Sequence, residues 1–236
     1  MKRIISFVVT AFVLATGAYA QESHLFIRAG VNRANVTISD DGKYSDANAL
    51  WTFHAGLTAD LPLSKFVSVQ PSLLFTGKGA KTAYGQSSGA FPTYFKATTN
   101  PYYVELPVNV LGKIPLAMDE SSFFIGAGPY IAVGVGGKNK SEGQVIGVRF
   151  ESEDRIDFSD DDPTTTNYEE QAGLTRLKRF DYGLNATAGF QLNNLMLSVN
   201  YGYGLAKLAS GANNGHNNND ENNKHRVISF SVGVRL

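Results

Sequence analysis

The stretch WTFHAGLTADL, residues 51–61, alternates strictly between two kinds of side chain. One parity is apolar throughout and consists of Trp51, Phe53, Ala55, Leu57, Ala59 and Leu61. The other parity is small or polar and consists of Thr52, His54, Gly56, Thr58 and Asp60. Because successive side chains of a β-strand point to opposite faces, a period of two predicts a strand. This strand has one apolar and one polar face along its whole length.

The same alternation recurs along the chain. The eight predicted strands are residues 24–35, 50–61, 66–78, 101–113, 122–135, 180–192, 195–207 and 225–236. Connections after the second, fourth and sixth strands are short, and those after the first, third, fifth and seventh are long. Outer-membrane barrels have short periplasmic turns and long extracellular loops. The pattern therefore predicts an all-β fold, an eight-stranded antiparallel up-and-down transmembrane β-barrel with that arrangement of turns and loops.

The first residues have the layout of a secretory signal peptide. A positively charged start is followed by an apolar run over residues 4–16 and by an A-x-A cleavage site at residues 18–20. The alternative is an N-terminal anchor helix, but this apolar run is too short to cross a bilayer. We therefore expect a cleaved signal peptide over residues 1–20 and a barrel domain over residues 21–236. This arrangement predicts export to the outer membrane of a Gram-negative bacterium.

Composition excludes several classes of protein. The chain has no cysteine, which rules out an acylated lipoprotein, disulfides and thiolate metal sites. Without Lys2 and Arg3 the chain has 19 basic and 21 acidic residues, a net charge of −2. This balance gives no overall basic surface, so we expect no nucleic-acid partner. We also expect no cofactor and no metal site.

Aromatic residues on the apolar parity mark two levels of the predicted wall. At the long-loop ends of their strands they are Trp51, Tyr102, Tyr182 and Tyr203. At the short-turn ends they are Phe123 and Phe190. Aromatic rings are enriched at both membrane interfaces of such barrels. The six residues therefore predict two aromatic girdles, in contact with outer-membrane lipid, around an aliphatic band.

The opposite parity predicts a lumen lined by glycine, polar and charged side chains. Its expected polar network consists of Arg28, His54, Asp60, Lys78, Glu105 and Arg235. Because an isolated buried ion is costly, these charges must pair. Depth along the strands predicts one pair, Lys78 with Glu105, and a separate periplasmic cluster of Arg28 and Arg235 with Asp60. A barrel of eight strands is wide enough only for side chains, so we predict a filled lumen and not a pore.

Catalytic signals are absent from the sequence. No phosphate-binding loop, dinucleotide fingerprint, zinc-protease motif or serine-hydrolase motif occurs. A lipid-modifying outer-membrane enzyme, the alternative, needs a base beside a nucleophile, and the middle of the outward face offers no Ser–His pair. Inward-facing His54 could meet Ser68, Ser72 or Glu105, but no spacing requires it. We therefore predict a non-enzymatic protein.

Two long connections have marked compositions. The third is acidic, with Glu151, Glu153, Asp154, Asp157, Asp160, Asp161, Asp162, Glu169 and Glu170. Divalent-cation binding or docking is one interpretation, but the spacing does not match an EF-hand loop, and a solvated mobile loop is favoured. Within this connection, residues 143–152 alternate and predict an extension of the fifth strand above the membrane. The fourth connection is Asn-rich over residues 211–224, which predicts disorder.

Four segments resemble strand motifs of one known family. They are Phe26-Ile27-Arg28-Ala29-Gly30-Val31-Asn32, Tyr103-Val104-Glu105-Leu106-Pro107-Val108, Gly126-Ala127-Gly128-Pro129-Tyr130, and Phe180-Asp181-Tyr182-Gly183 with Ala188-Gly189-Phe190. In this order they resemble the PorT-like outer-membrane β-barrel family of the Bacteroidetes group. The resemblance implies an eight-stranded outer-membrane barrel, and one branch of that family is associated with protein secretion. It implies no catalytic residues. The chain departs from the usual outer-membrane assembly signal by ending in Leu236 instead of an aromatic residue.

Three functions are compatible with the sequence. The first is a structural or interaction protein, a monomeric filled barrel that anchors surface loops in outer-membrane lipid for contacts with an unidentified protein partner. The second is a secretion-associated barrel that docks onto larger machinery. The third is a periplasmic lipocalin-like ligand binder, which requires the apolar face inside and Arg28, Asp60 and Glu105 outside. The girdles, the glycines on the polar parity and the loop asymmetry argue against the third function.

Overall fold

The computed structural model describes most of the predicted barrel. The described residues are 23–40, 43–46, 48–86, 93–117, 121–145, 148–158, 176–206 and 224–236. The predicted signal peptide, the Asn-rich segment up to residue 223, and residues 159–175 of the acidic connection lie outside them. Among the described residues, no helix is long and apolar enough to cross a membrane.

Thirteen strands make up the described fold. They are β1 (His24–Asp40), β2 (Lys43–Asp46), β3 (Asn48–Pro62), β4 (Val67–Gly77), β5 (Ala80–Gln86), β6 (Thr93–Pro115), β7 (Ser121–Val145), β8 (Val148–Arg155), β9 (Asp157–Phe158), β10 (Arg176–Leu177), β11 (Phe180–Leu192), β12 (Leu195–Gly204) and β13 (Lys224–Arg235). Eight of them correspond to the predicted strands, with longer upper ends on β1, β6 and β7.

These eight strands close into an antiparallel ring. The order is β1, β3, β4, β6, β7, β11, β12 and β13, and β13 pairs with β1 again. In the closing pairs, Ala29 of β1 lies opposite Val232 of β13 on one side and Ala55 of β3 on the other. Closure leaves no unpaired edge in the ring, which a sheet exposed to lipid requires. The predicted eight-stranded transmembrane barrel is confirmed.

Short turns and both ends of the described chain lie at the same end of the ring. The tightest turn joins β11 to β12, where Asn193 has a φ of 50°, in the left-handed region that asparagine tolerates. The β3–β4 turn is closed by a hydrogen bond of 2.9 Å from the Leu63 amide to the Val67 carbonyl. This end of the barrel is the periplasmic one, and the long connections lie at the extracellular end.

Above the ring, a four-stranded sheet projects from the extracellular end. The upper part of β6 pairs with β5 on one side and with the upper part of β7 on the other, and β8 pairs back onto β7. Treating residues 79–100 as a loop was therefore wrong. The predicted extension over residues 143–152 was right only in part, because the fifth strand continues but the chain reverses after Val145. Both halves of a hairpin alternate as a single strand does, so the sequence pattern does not reveal the reversal.

A bulge separates the ring from the projecting sheet. The register of β6 and β7 shifts between Tyr102, which lies opposite Gly136, and Tyr103, which lies opposite Gly134. The extra residue, Val135, reverses the parity of β7 above this point. As a result, Lys138 and Lys140 continue the outward face of the barrel.

The two faces of the ring have opposite environments. Apolar side chains are exposed on the outside, with Ile27 53% and Ile125 59% accessible. Charged side chains are buried inside, with Arg28 3% and Asp60 0% accessible. A lipocalin-like ligand binder needs the reverse arrangement, so the structure rules out that alternative. An apolar exterior around a polar interior is the arrangement of a barrel in lipid.

The lower part of the lumen is closed by an apolar layer that the sequence analysis missed. Phe26, Leu111, Phe124 and Met196 lie on the inward parity of four strands and pack together with at most 1% of their surface accessible. In sequence each of them interrupts a polar face, which was the available signal. This layer separates the periplasmic rim from the polar groups above it.

Candidate functional site

A buried ion cluster centred on Lys78 occupies the upper part of the lumen. Lys78 Nζ lies 2.5 Å from Glu105 Oε2 and 2.8 Å from Asp181 Oδ2. The Tyr130 hydroxyl donates to Asp181 Oδ2 at 3.2 Å. The ammonium group also lies 4.1 Å from the centre of the Tyr130 ring and 5.5 Å from that of Tyr103. One cation thus meets two carboxylates and two aromatic faces.

Lys78 pairs with Glu105, as depth along the strands predicted, but the sequence analysis missed the second carboxylate. The side chain of Asp181 is 1% accessible. Asp181 belongs to the Phe180-Asp181-Tyr182-Gly183 motif but was not among the residues predicted for the polar network. Three of the four motifs that carried the family resemblance supply the residues around Lys78: Tyr103 and Glu105, Tyr130, and Asp181. These motifs lie far apart in sequence but meet in space. The usable signal in the sequence was therefore the polar residues within the motifs.

A second hydrogen-bond chain lies deeper in the lumen and runs through His54. Ser231 Oγ lies 3.0 Å from Arg28 Nη2, 3.2 Å from Asn200 Nδ2 and 2.8 Å from His54 Nε2. Arg28 and the Asn200 amide can only donate, so they occupy both lone pairs of the serine oxygen. The Ser231 proton is then donated to His54 Nε2, and His54 Nδ1 donates to Asn32 Oδ1 at 2.7 Å.

Ser231, His54 and Asn32 have the order of a hydrolase triad but lack its chemistry. Two donors, from Arg28 and Asn200, already surround the Ser231 oxygen, so a substrate carbonyl has no free approach to it. Substrate would also need space. The cavity beside His54 measures about 30 Å³, which holds one or two waters. The sequence allowed contacts of His54 with Ser68, Ser72 or Glu105 but required none, and its described partners are instead Asn32 on β1 and Ser231 on β13.

The periplasmic rim contains a second buried ion pair, which joins Asp60 to Lys113. Asp60 was expected in a cluster with Arg28 and Arg235, and Lys113 was not among its predicted partners. Lys113 Nζ also donates to Gln191 Oε1 at 3.3 Å. Arg28 lies higher and lines the same small cavity as Glu105. Arg235 lies in register with Phe26 at the lower end of the lumen face. The prediction was wrong for Arg28, because tilted strands bring different depths of the chain to one level.

All six predicted girdle residues lie on the outer wall. Trp51 is 62% accessible, Tyr182 54% and Tyr203 40%, at the extracellular ends of their strands. Tyr102 stacks against Phe75, with ring centres 5.5 Å apart on the outer wall. The Phe123 and Phe190 rings pack together near the periplasmic turns, with ring centres 5.3 Å apart. Their contact with membrane interfaces stays a prediction.

Part of the acidic connection is an ordered strand, contrary to the expected mobile loop. Glu151 and Glu153 lie on β8, where Lys140 and Lys138 pair with them at 2.7 and 2.6 Å. The hydrogen bond and the attraction of Glu153 raise the pKa of Lys138, and the same contact lowers the pKa of Glu153. No group of three or more metal-ligating side chains occurs among the described residues, and Asp160 to Glu170 lie outside them.

The fold and its two faces define a class, the integral β-barrels of the outer membrane. The family model for the outer membrane protein beta-barrel domain matches residues 19–210. The chain therefore belongs to that family and is an outer-membrane protein. No curated protein sequence matches the chain.

Several solved barrels are similar to the chain at low identity. Ail, the attachment invasion locus protein of Yersinia pestis, solved with the heparin analogue sucrose octasulfate, is 14% identical with a TM-score of 0.38. Neisserial surface protein A is 13% identical with a TM-score of 0.40. Each match covers 92% of this chain and 100% of the other. The translocator domain of the autotransporter NalP from Neisseria meningitidis is 10% identical with a TM-score of 0.26, and the match covers 100% of this chain and 96% of the other.

Proposed function

We propose that this protein is a non-enzymatic, monomeric barrel that anchors a projecting sheet on the cell surface for contacts with a partner. The observation that carries the proposal is the four-stranded sheet above the ring, together with the filled lumen below it. From Gly136 to Val145, β7 continues for ten residues beyond the bulge. At about 3.3 Å per residue this is about 30 Å along the strand.

The lumen supports anchoring and argues against transport. The apolar layer around Phe26 and Leu111, and the ion cluster around Lys78, fill it at two levels. A water-filled channel needs a wider barrel than eight strands provide. Wild-type protein in planar lipid bilayers should give no steady ion current. Glu105→Gln should lower stability and still give none, because the side chain that replaces glutamate fills the same space. Steady current from either protein would support a transport role instead.

Surface display can be tested directly because the chain has no cysteine. Glu151→Cys on β8 should react with a membrane-impermeant maleimide on intact cells. Lys65→Cys, in the exposed turn between β3 and β4, should react only after the outer membrane is opened. Labelling of Lys65→Cys on intact cells, with protection of Glu151→Cys, would reverse the proposed orientation.

The same cysteine can identify the partner. A photo-crosslinker attached at residue 151 should capture a protein that the crosslinker at residue 65 does not. Capture of secretion machinery would favour the secretion-associated role that the PorT-like resemblance implies.

Cleavage after Ala20 should be visible as a mature N-terminus at Gln21, and light scattering should give the mass of one chain after subtraction of detergent.

A further inference from the structure

Three cations cluster on the outward face where β13 meets β1. Arg33 is exposed on β1, and Lys224 and Arg226 share the outward parity of β13. Arg226 lies opposite Asn35, and Arg33 lies opposite Ile228, so the two arginines are diagonal neighbours on one face. Such neighbours lie about 7–8 Å apart between backbones, so the two arginines add positive charge to the same part of the wall.

Among the described side chains, no acid pairs with this cluster. Residues 25–35, 49–57, 195–203 and 224–236 contain no aspartate or glutamate. The outward lysines of the projecting sheet differ, because Lys96, Lys138 and Lys140 each have a carboxylate within 3.5 Å. Among the described residues, no carboxylate lies within 4 Å of Arg33, Lys224 or Arg226.

The cluster lies at the level of the extracellular aromatic residues. Arg33 lies directly opposite Trp51 across the β1–β3 pair. The Arg226 guanidinium is stacked 3.6 Å above the Tyr203 ring, and its Nη1 donates to the carbonyls of Gly204 and His225. These contacts hold the guanidinium against the outer wall. Interfacial aromatic rings mark the headgroup level of the bilayer, so the predicted girdle puts these cations at the level expected for lipid phosphates.

An apolar groove lies below the cations on the same strands. It measures about 630 Å³, within the range of pockets that hold small ligands. Val31 and Phe230, which line it, follow Arg33 and Ile228 toward the periplasm. Ala188 lines it between larger side chains such as Phe190. The groove extends from Val31 down to Phe123 and Phe190 of the periplasmic girdle, so the wall combines cations at its extracellular end with an apolar recess along the region below them.

We propose that this face binds a phosphate-bearing lipid of the outer leaflet. The phosphate contacts Arg33 and Lys224, Arg226 adds its charge from its position on Tyr203, and an acyl chain lies in the groove. Guanidinium groups suit phosphate because their paired donors match its oxygens. The extracellular position of the cations selects the outer leaflet, and the groove selects a lipid over a soluble anion. This site is independent of the surface sheet and of its partner.

The test uses the full mature chain in nonionic detergent, with diphosphoryl lipid A as the probe and native mass spectrometry as the measurement. Dephosphorylated lipid A is the matched probe. Arg33→Gln should weaken binding about fivefold, and Arg33→Gln with Lys224→Gln about 25-fold, at about 1 kcal/mol per interfacial cation. Lys65→Gln removes the same charge at the periplasmic turn and should leave binding unchanged.

Further controls separate the outcomes. Ala188→Phe fills the groove and should weaken binding of diphosphoryl lipid A with all cations in place. Migration of unheated samples on a denaturing gel checks that each variant is folded. Equal binding of the two lipid A forms, or unchanged binding by the double variant, would overturn the phosphate contacts. Full displacement of lipid A by inorganic phosphate, or an unchanged Ala188→Phe variant, would overturn the lipid assignment.

Discussion

Two regions of the molecule contain lysine–carboxylate pairs of nearly equal length in opposite surroundings. In the lumen, Lys78 lies 2.5 Å from Glu105 and 2.8 Å from Asp181, and its side chain is 4% accessible. On the projecting sheet, Lys138 lies 2.6 Å from Glu153, and the two side chains are 66% and 53% accessible. Distance alone would rank these contacts as equals.

Burial makes them different. Removing one member of a buried pair leaves a charge that neither water nor protein solvates, whereas an exposed pair exchanges its partner for water at little cost. The lumen cluster therefore ties the upper end of β4 to β6, β7 and β11, while the sheet pairs mainly keep the surface soluble. The predictions below test this difference, from the largest expected effect to the smallest.

Lys78→Met should give the largest loss. It leaves two buried carboxylates facing each other, so the free energy of unfolding should fall by about 3–5 kcal/mol. Urea unfolding in lipid vesicles can measure this, with the single tryptophan, Trp51, as the fluorescent probe. The triple variant Lys78→Met, Glu105→Gln and Asp181→Asn should recover most of the loss, since it removes the whole ion cluster. A Lys78→Met protein as stable as wild type would remove the energetic basis of the comparison.

A charge on the lipid side provides a third environment. Leu57→Arg places an unpaired cation on the outward face of β3 and should cost about 2–4 kcal/mol near the bilayer midplane. Face assignment can be checked separately, because a lipid-soluble maleimide should reach Leu57→Cys and not Thr58→Cys, a position that is 0% accessible in the wild type. The reverse labelling pattern would show that the two faces are inverted.

The periplasmic rim should give an intermediate effect. Lys113 is 12% accessible in its side chain and its partner Asp60 is 0% accessible. Lys113→Met should lower the free energy of unfolding by about 2 kcal/mol, the scale of a hydrogen bond to a charged group. The same urea titration measures it, and the loss should be smaller than that of Lys78→Met. A larger loss would mean that the rim, and not the upper cluster, is the main polar contribution to stability.

The projecting sheet should show the smallest effect. The contact with Lys138 lowers the pKa of Glu153 below its ordinary value of 4.5 and raises that of Lys138 above 10.5. Its contribution is therefore present between these ordinary values, and is lost as pH falls through the lowered Glu153 value or rises through the raised Lys138 value. Titration followed by the carboxylate ¹³C signal should give a pKa of Glu153 below 4.5. Glu153→Gln should leave barrel unfolding unchanged, whereas a clear loss would mean that the sheet and ring unfold together.

The wall of the barrel could be predicted from local sequence, but its interior partners could not. Strand faces follow from alternation alone, as residues 51–61 show, and closure follows because lipid leaves no partner for a free edge. The Lys78–Asp181 contact joins residues 103 positions apart. Nothing in the alternation of either strand indicates which charges meet across the lumen.

The sequence by itself determined the eight strands, their outward and inward faces, and which end carries the long connections, because each depends on a repeat within one strand or on the length of one connection. Only the tertiary structure decided that Asp60 meets Lys113, that Ser231 engages His54, and that the chain reverses after Val145. The physical reason is that strand tilt and register set the depth of each lumen side chain, and these belong to the closed ring as a whole.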